Sequence, residues 1–104
     1  MALKIDYATK AKTDLADIMD YIEVDLHNLK ASKDFYSAFT EKKLLLKENP
    51  YMYEIIDDKD FEYANLRKMP IDNYVMIYNV DEYKKAIKVL RFFYQKQDYI
   101  KHIS

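Results

Sequence analysis

The fold is most clearly indicated by one stretch near the end of the chain, Ile87-Lys88-Val89-Leu90-Arg91-Phe92-Phe93-Tyr94-Gln95-Lys96-Gln97-Asp98-Tyr99. β-Branched and aromatic residues fill its first part, which is typical of a strand in a well-packed sheet. The stretch carries a single arginine, Arg91, and ends in a short polar and partly basic cluster. It predicts a strand from Ala86 to Tyr94 that brings one guanidinium group into a sheet.

The residues upstream predict more of the same sheet. Tyr74 to Val80 is a second strong strand, and residues 81–85 connect the two strands as a hairpin loop. Residues 62–69 predict a strand that ends at Pro70, and residues 53–56 predict a weaker one. Strands that follow one another with short connections indicate a mainly antiparallel meander.

The first half of the chain is interpreted as one strand followed by two helices. Residues 3–7 alternate between apolar and polar side chains, as in a half-buried strand. Two stripes of apolar residues at spacings of three and four then predict two amphipathic helices, separated at Asn28: Ala11, Leu15, Ile18, Ile22 and Leu26, then Ala31, Phe35, Ala38, Leu45 and Leu46. Thr9 or Thr13 is expected to cap the first helix. The carboxylates on its opposite face are expected to be solvated: Asp14, Asp17, Asp20 and Glu23.

These elements together predict a single domain over residues 1–104 of the α+β class. An N-terminal strand precedes a two-helix antiparallel hairpin, and the meander follows with both helices packed on one face of the sheet. A chain of this length is sufficient for one hydrophobic core and too short for two.

Composition excludes several kinds of site. The 104 residues contain no cysteine and no glycine, so a disulfide, a thiolate site and a glycine-rich phosphate loop are all ruled out. The only histidines, His27 and His102, are far apart in the sequence, so no metal or other cofactor is expected. Without glycine, left-handed backbone positions are expected at asparagine or aspartate: Asn28, Asn49, Asp58 or Asn73. No apolar run is long enough to cross a membrane, and a cytoplasmic location is expected.

The net charge of −1 hides an uneven distribution. From Leu66 onward, eight basic residues face four acidic ones: Arg67, Lys68, Lys84, Lys85, Lys88, Arg91, Lys96 and Lys101 against Asp72, Asp81, Glu82 and Asp98. Local positive charge suits contact with phosphate groups. A solvated strand face with scattered lysines explains the same distribution equally well.

Several segments, taken in order, resemble the RelE/ParE toxin superfamily. Residues 14–22 are similar to its D-L-x-x-I-x-x-Y-I helix, and Leu66-Arg67-Lys68-Met69 to the strand with its best-kept arginine. Residues 74–81 are similar to its Y-x-x-x-Y-x-V-D strand. The resemblance implies the toxin of a type II toxin–antitoxin module, which a cognate antitoxin protein neutralises.

The resemblance also implies which activities are open. RelE-like members are ribosome-dependent, metal-independent mRNA endoribonucleases, and on that reading the ribosome and mRNA are partners. The catalytic residues would then be Arg67, Arg91, Tyr94 and Lys96, and Lys68 and Lys88 would bind phosphate. The alternatives are a ParE-like, non-enzymatic inhibitor of DNA gyrase and a degenerate, non-toxic member that only binds the antitoxin.

The last strand departs from the pattern R-V-x-H-x-R-R-D-Y that many members share. Tyr94 takes the place of the histidine, and Lys96 and Gln97 replace the arginine pair. A lysine lacks the planar fork with which arginine grips phosphate, so weaker phosphate binding is expected. Strand alternation is expected to put Arg91 and Tyr94 on opposite faces unless a bulge intervenes.

Structural roles compete with these functional ones. Arg67 could form a structural salt bridge with Asp72 or Glu62 instead of binding a phosphate. The aromatic residues of the sheet are more readily explained as packing than as platforms for RNA bases: Tyr74, Tyr78, Phe92 and Phe93. His27 is explained by a turn between the helices.

Overall fold

The computed structural model describes residues 3–56 and 65–95. These described residues form four strands, two α-helices and one π-helical segment: β1 (Lys4–Tyr7), α1 (Thr9–Asp20), the π-helix Tyr21–Asp25, α2 (Leu29–Glu48), β2 (Arg67–Ile71), β3 (Tyr74–Asp81) and β4 (Ala86–Tyr94). The α+β fold predicted from the sequence is confirmed.

The four strands form one sheet in the order β1-β4-β3-β2. Neighbouring pairs β2–β3 and β3–β4 are antiparallel, whereas β1 lies parallel to β4. Pro70 does not end β2 but pairs with Val75 inside it. This position is compatible with proline because β2 is an edge strand, where a missing N–H need not break a ladder.

The strand predicted at residues 53–56 is wrong. Only one isolated bridge joins Ile55 to Arg67, and two backbone hydrogen bonds flank it, from Ile56 N to Leu66 O (2.7 Å) and from Lys68 N to Glu54 O (3.3 Å). The segment therefore lies along the edge of β2 without becoming a strand. The part of the predicted strand at residues 62–64 falls outside the described residues.

Helix α1 is not capped by Thr9 or Thr13 as predicted, and α2 is capped by Asn28, for which no cap was predicted. Helix α1 has Ala8 at its N-cap with no side-chain cap, and the Thr13 hydroxyl donates back to Thr9 O (3.2 Å). Asn28 caps α2 by accepting a hydrogen bond from Ala31 N (3.0 Å). The cap fixes where the second helix begins, since its oxygen satisfies a donor of the first turn.

Four described residues other than those predicted occupy the left-handed backbone region: His27, Asn65, Asp72 and Lys85. The prediction of Asn28, Asn49 and Asn73 is wrong, and Asp58 lies outside the described residues. Asn28 and Asn49 have extended φ values of −129° and −138° because they serve as helix caps. Asn65 and Asp72 are of the expected residue types at other positions, whereas His27 and Lys85 adopt positive φ because their turns require it.

The helices bury one face of the sheet. Phe35, Phe39 and Leu46 of α2 pack against a layer of strand residues: Met69, Met76, Tyr78, Ile87, Val89 and Phe92. Phe39 and Phe92 meet edge to face with 5.6 Å between ring centroids. The opposite face, called the outer face below, carries a second apolar cluster of Leu66, Val75, Ile77 and Phe93. The prediction that Tyr78, Phe92 and Phe93 are packing residues is confirmed.

Among the described residues, neither α-helix is both long and apolar enough to span a bilayer.

Candidate functional site

A bulge in β4 determines where the arginine of this strand points. Tyr78 of β3 pairs with Val89, but Ile77 pairs with Arg91, so Leu90 is one extra residue in β4. Because of this insertion, Arg91 shares the outer face with Ile77 and leaves the helix-covered face that Val89 occupies. Its guanidinium carbon lies 4.7 Å from the centroid of the Phe93 ring.

The bulge also coincides with an open edge. Strand β1 pairs with β4 only as far as Tyr7 and Val89, so no strand within residues 3–56 and 65–95 pairs with this edge of β4 beyond that point. The chain enters α1 directly after β1, with Ala8 N donating to Val89 O (2.9 Å). The first turns of α1 therefore pass beside the open edge.

Asp14 of α1 binds this edge in place of a strand. Its Oδ2 accepts hydrogen bonds from Arg91 Nε (2.7 Å) and from Phe92 N (3.0 Å), and its Oδ1 accepts one from Arg91 Nη2 (3.2 Å). The Arg91 and Asp14 side chains are only 21% and 16% exposed. The expectation that Asp14 is solvated is wrong because α1 turns this one carboxylate towards the sheet.

Tyr94 lies on the opposite face from Arg91, as strand alternation predicts, because the bulge precedes both residues. It pairs with Tyr74, and the two rings are 5.6 Å apart. Burial is the main cause that raises the pKa of Tyr74, and the neighbouring Tyr21 and Tyr94 add to it. The Tyr74 ring also meets Phe35 edge to face, so it is tied into the core.

Arg91 and Tyr94 nevertheless open into one cleft, because both flank the same strand edge. The cleft has a volume of about 690 Å³ and is called the β4-edge cleft below. Its lining combines two carboxylates, several aromatic rings and the end of the helical hairpin: Asp14, Asp17, Ile18, Tyr21, Leu26, Asn73, Tyr74, Arg91, Phe92, Phe93 and Tyr94.

Arg67 lies elsewhere, on the edge strand β2 and on the helix-covered face beside Tyr78. It donates from Nη1 to Tyr53 O (2.6 Å) and to Tyr51 O (3.5 Å), and its guanidinium carbon is 5.1 Å from the centroid of the Tyr51 ring. The Tyr51 hydroxyl in turn donates to Glu82. Arg67 therefore fastens the segment that follows α2 to the sheet through carbonyl groups and not through Asp72. The other predicted partner, Glu62, lies outside the described residues.

The remaining predicted site residues do not join either arginine. Lys68 pairs with Ile77 on the outer face and forms a salt bridge with Glu54 (3.5 Å). Lys88 is exposed and stands between Asn79 and Asp6 in the sheet register. Lys96 lies outside the described residues. The structure thus brings together Arg91 and Tyr94, and separates Arg67 from them by the width of β3.

Asp14 is the residue of this candidate site that sequence reasoning missed. A signal was present, because Asp14 is the first letter of the D-L-x-x-I-x-x-Y-I helix pattern. Nothing in the helical periodicity distinguishes it from Asp17, since both fall on the polar side of α1. Only the parallel placement of β1 beside β4 shows which of the two carboxylates meets the sheet.

No group of three or more histidine or acidic side chains able to hold a metal ion occurs among residues 3–56 and 65–95.

Comparison with known proteins gives this architecture a family. Residues 5–99 match the family described as the ParE toxin of the type II toxin–antitoxin system parDE. The chain belongs to this toxin family. The resemblance to the RelE/ParE superfamily is confirmed, and so is the assignment as a toxin of a type II module. No protein of curated function has a detectable sequence match to this toxin.

Solved structures share the toxin's fold at low sequence identity. A chain of the chromosomal ParDE system from P. aeruginosa is 18% identical, with a TM-score of 0.65 over 89% of this chain and 96% of its own. A chain of the RelBE2 toxin–antitoxin complex from Mycobacterium tuberculosis is 20% identical, with a TM-score of 0.59 over 90% and 99%. A chain of the archaeal RelE–RelB complex from Pyrococcus horikoshii is 19% identical, with a TM-score of 0.61 over 93% and 99%.

Proposed function

We propose that this toxin acts by binding and inhibiting DNA gyrase, as ParE-like members do, and that it does not cleave RNA. Its cognate antitoxin holds it inactive by direct binding. Both partners place its action in the cytoplasm. The family match supports the proposal at the level of the toxin class, since the matching family is the ParE family.

The observation that carries the choice of mechanism is the Asp14–Arg91 pair. A nuclease of this kind needs a cation that stabilises charge developing on the phosphate. Here the guanidinium group makes two hydrogen bonds to one carboxylate, and that carboxylate also closes the edge of β4. Releasing Arg91 to a phosphate would leave the partly buried Asp14 carboxylate with the Phe92 N–H as its one remaining donor among these contacts and without the cation that neutralises its charge. Such a change is costly for partly buried groups.

The position of the second arginine points the same way. Arg67 is engaged with the carbonyl group of Tyr53 on the other side of β3 and on the opposite face of the sheet. Catalysis by several groups requires them within hydrogen-bonding reach of one reacting centre. Two arginines on opposite faces do not meet that requirement.

A ribosome-dependent mRNA endoribonuclease is the second candidate, and one observation favours it. Arg91 and Tyr94 both line the β4-edge cleft, so a substrate in the cleft would contact both. On this reading the catalytic set is still Arg67, Arg91, Tyr94 and Lys96, with Lys68 and Lys88 on the phosphates. A non-toxic protein that only binds the antitoxin is the third reading.

The test is to express the toxin without its antitoxin and to follow two processes over the first minutes. Topoisomer distribution of a reporter plasmid measures gyrase activity, and incorporation of labelled methionine measures translation. We expect plasmid relaxation before any loss of translation. Loss of translation first, with cleaved messages, would favour the endoribonuclease. Normal growth with folded, soluble toxin would favour the non-toxic reading.

A further inference from the structure

The β4-edge cleft has an apolar floor that is open to solvent. Tyr21, Leu26 and Tyr94 are 48%, 53% and 41% exposed, respectively, although all three are large apolar or aromatic side chains. Concentrations of exposed apolar surface on a small protein usually mark a partner site. The cleft between the hairpin and the sheet edge has a volume of about 690 Å³, which is large enough to receive one or two side chains.

The helical segment on one side of this cleft, called the rim below, is acidic, and Asp14 and Asp17 are its two carboxylates that line the cleft itself. From Asp14 to Asp25 the chain carries five carboxylates and no basic residue: Asp14, Asp17, Asp20, Glu23 and Asp25. Asp14 is bound to Arg91, but Asp17, Asp20 and Glu23 form no ion pair within residues 3–56 and 65–95. Asp17 lines the cleft directly. The surface therefore presents uncompensated negative charge beside an apolar floor.

These carboxylates destabilise the helical segment that carries them. The last turn of α1 contains no basic residue, and carboxylates near a helix C-terminus interact unfavourably with the helix dipole. Each of these interactions is small at an exposed site, but all of them have the same sign. A positively charged partner placed over the rim would offset these unfavourable interactions.

We propose that the β4-edge cleft is the docking site for a cationic segment of the antitoxin. One large apolar side chain of that segment packs on Tyr21, Leu26 and Tyr94, and neighbouring lysine or arginine side chains pair with Asp17 and Asp20. The antitoxin is the occupant because solved structures with this fold include toxin–antitoxin complexes, and a cationic segment complements the acidic rim beside the exposed apolar side chains. The inference uses the toxin class alone and holds whether gyrase or the ribosome is the target.

The test begins by locating the segment. The probe is the antitoxin encoded beside the toxin gene, purified with toxin that carries the photo-crosslinker p-benzoylphenylalanine in place of Tyr21. The matched control carries it in place of Tyr36, which is 50% exposed on α2 and does not line the cleft. We expect crosslinks from position 21 to one antitoxin segment with a net positive charge. A neutral or acidic crosslinked segment, or crosslinks from position 36 alone, would overturn the proposal.

The second arm tests the charge itself by titration calorimetry with the full-length antitoxin. Reversing one rim charge with Asp17→Lys is expected to weaken binding by about tenfold or more, since like charges across an interface are strongly unfavourable. Raising the salt concentration should shrink the difference. The control Glu41→Lys makes the same reversal on exposed α2 surface outside the cleft and is expected to bind like wild type. Asp17→Asn gives a milder variant for the same comparison. Equal affinities for Asp17→Lys, Asp17→Asn and Glu41→Lys would overturn the proposal, whatever the gyrase assay shows.

Discussion

Asp14 has the most consequential side chain in the described structure. One carboxylate accepts three hydrogen bonds, two from Arg91 and one from the backbone of Phe92. It thereby accepts a hydrogen bond from a backbone N–H at the edge of β4, neutralises the partly buried Arg91 cation and connects α1 to the sheet. We propose on this geometry that Arg91, a catalytic candidate in the sequence, is part of the framework of the fold.

We predict strong energetic coupling between Asp14 and Arg91. In a double-mutant cycle of Asp14→Ala and Arg91→Ala followed by urea unfolding, the coupling free energy should be about 1–3 kcal/mol, as for charged hydrogen bonds at partly buried sites. The control Asp17→Ala, one turn further along α1, should change stability by less than about 0.5 kcal/mol. A coupling energy near zero would show that the pair does not stabilise the fold.

Tyr78 gives the clearest pH dependence. Burial raises the pKa of its hydroxyl from 10.0 to about 12, against a smaller lowering by Arg67, and the hydroxyl donates to Pro50 O (3.2 Å). Since the folded pKa exceeds the unfolded one, the neutral tyrosine stabilises the fold fully below pH 10. That contribution is lost as the pH rises towards 12.

We therefore expect wild-type stability to fall between pH 10 and 12 and Tyr78→Phe to make this fall shallower. The measurement is the urea midpoint at closely spaced pH values. The matched control is Tyr83→Phe, because Tyr83 is 97% exposed in the β3–β4 loop and lacks the burial that shifts Tyr78. Parallel pH profiles for wild type and Tyr78→Phe would contradict the account.

At the scale of elements, the strands that the sequence predicted best are those with the most continuous β-formers. Strand β4 has the predicted bounds, and β3 ends at Asp81, one residue later than predicted. The bulge at Leu90 was not predictable, because it inserts one apolar residue among others and leaves no local signal. The prediction of a strand at residues 53–56 is wrong because aromatic and β-branched residues do not show whether a neighbouring strand can form a continuous ladder of hydrogen bonds with the segment.

The sequence supplied candidate residues for the site but not their arrangement. Sequence identified Arg67, Arg91 and Tyr94, yet their separation depends on strand order and on the bulge, both of which are long-range features. The same limit applies to Asp14, whose role depends on a parallel β1 placed some eighty residues away in sequence from its partner strand.

Loop strain gives a prediction at this scale. Lys85 has φ of 52° in the β3–β4 connection, a conformation that costs a side-chain-bearing residue roughly 1 kcal/mol or more. Lys85→Gly removes that cost and should raise the melting temperature by a few degrees despite the entropy that glycine adds to the unfolded chain. Lys84→Gly, next to it and without positive φ, should lower the melting temperature or leave it unchanged. The reverse order of the two variants would refute the strain argument.

At the scale of the whole molecule, the helical hairpin exposes several large apolar side chains, whereas most apolar side chains of the sheet are buried. Val24, Leu29 and Leu44 are more than half exposed, in addition to the residues of the β4-edge cleft. A partner that binds only the native toxin raises its stability in proportion to the logarithm of its concentration over the dissociation constant. The toxin–antitoxin complex should therefore melt at a higher temperature than free toxin, and equal melting temperatures at saturating antitoxin would contradict this.

The central claim is that the toxin inhibits by binding and not by catalysis. Its most direct test is a titration of purified toxin into a DNA supercoiling assay with purified gyrase, beside a parallel reaction of toxin with ribosome-bound mRNA. The account predicts that supercoiling stops at a toxin concentration close to that of gyrase, while primer extension finds the mRNA intact. Full supercoiling at excess toxin, together with mRNA cleavage that is lost in a folded Arg67→Ala variant, would contradict it.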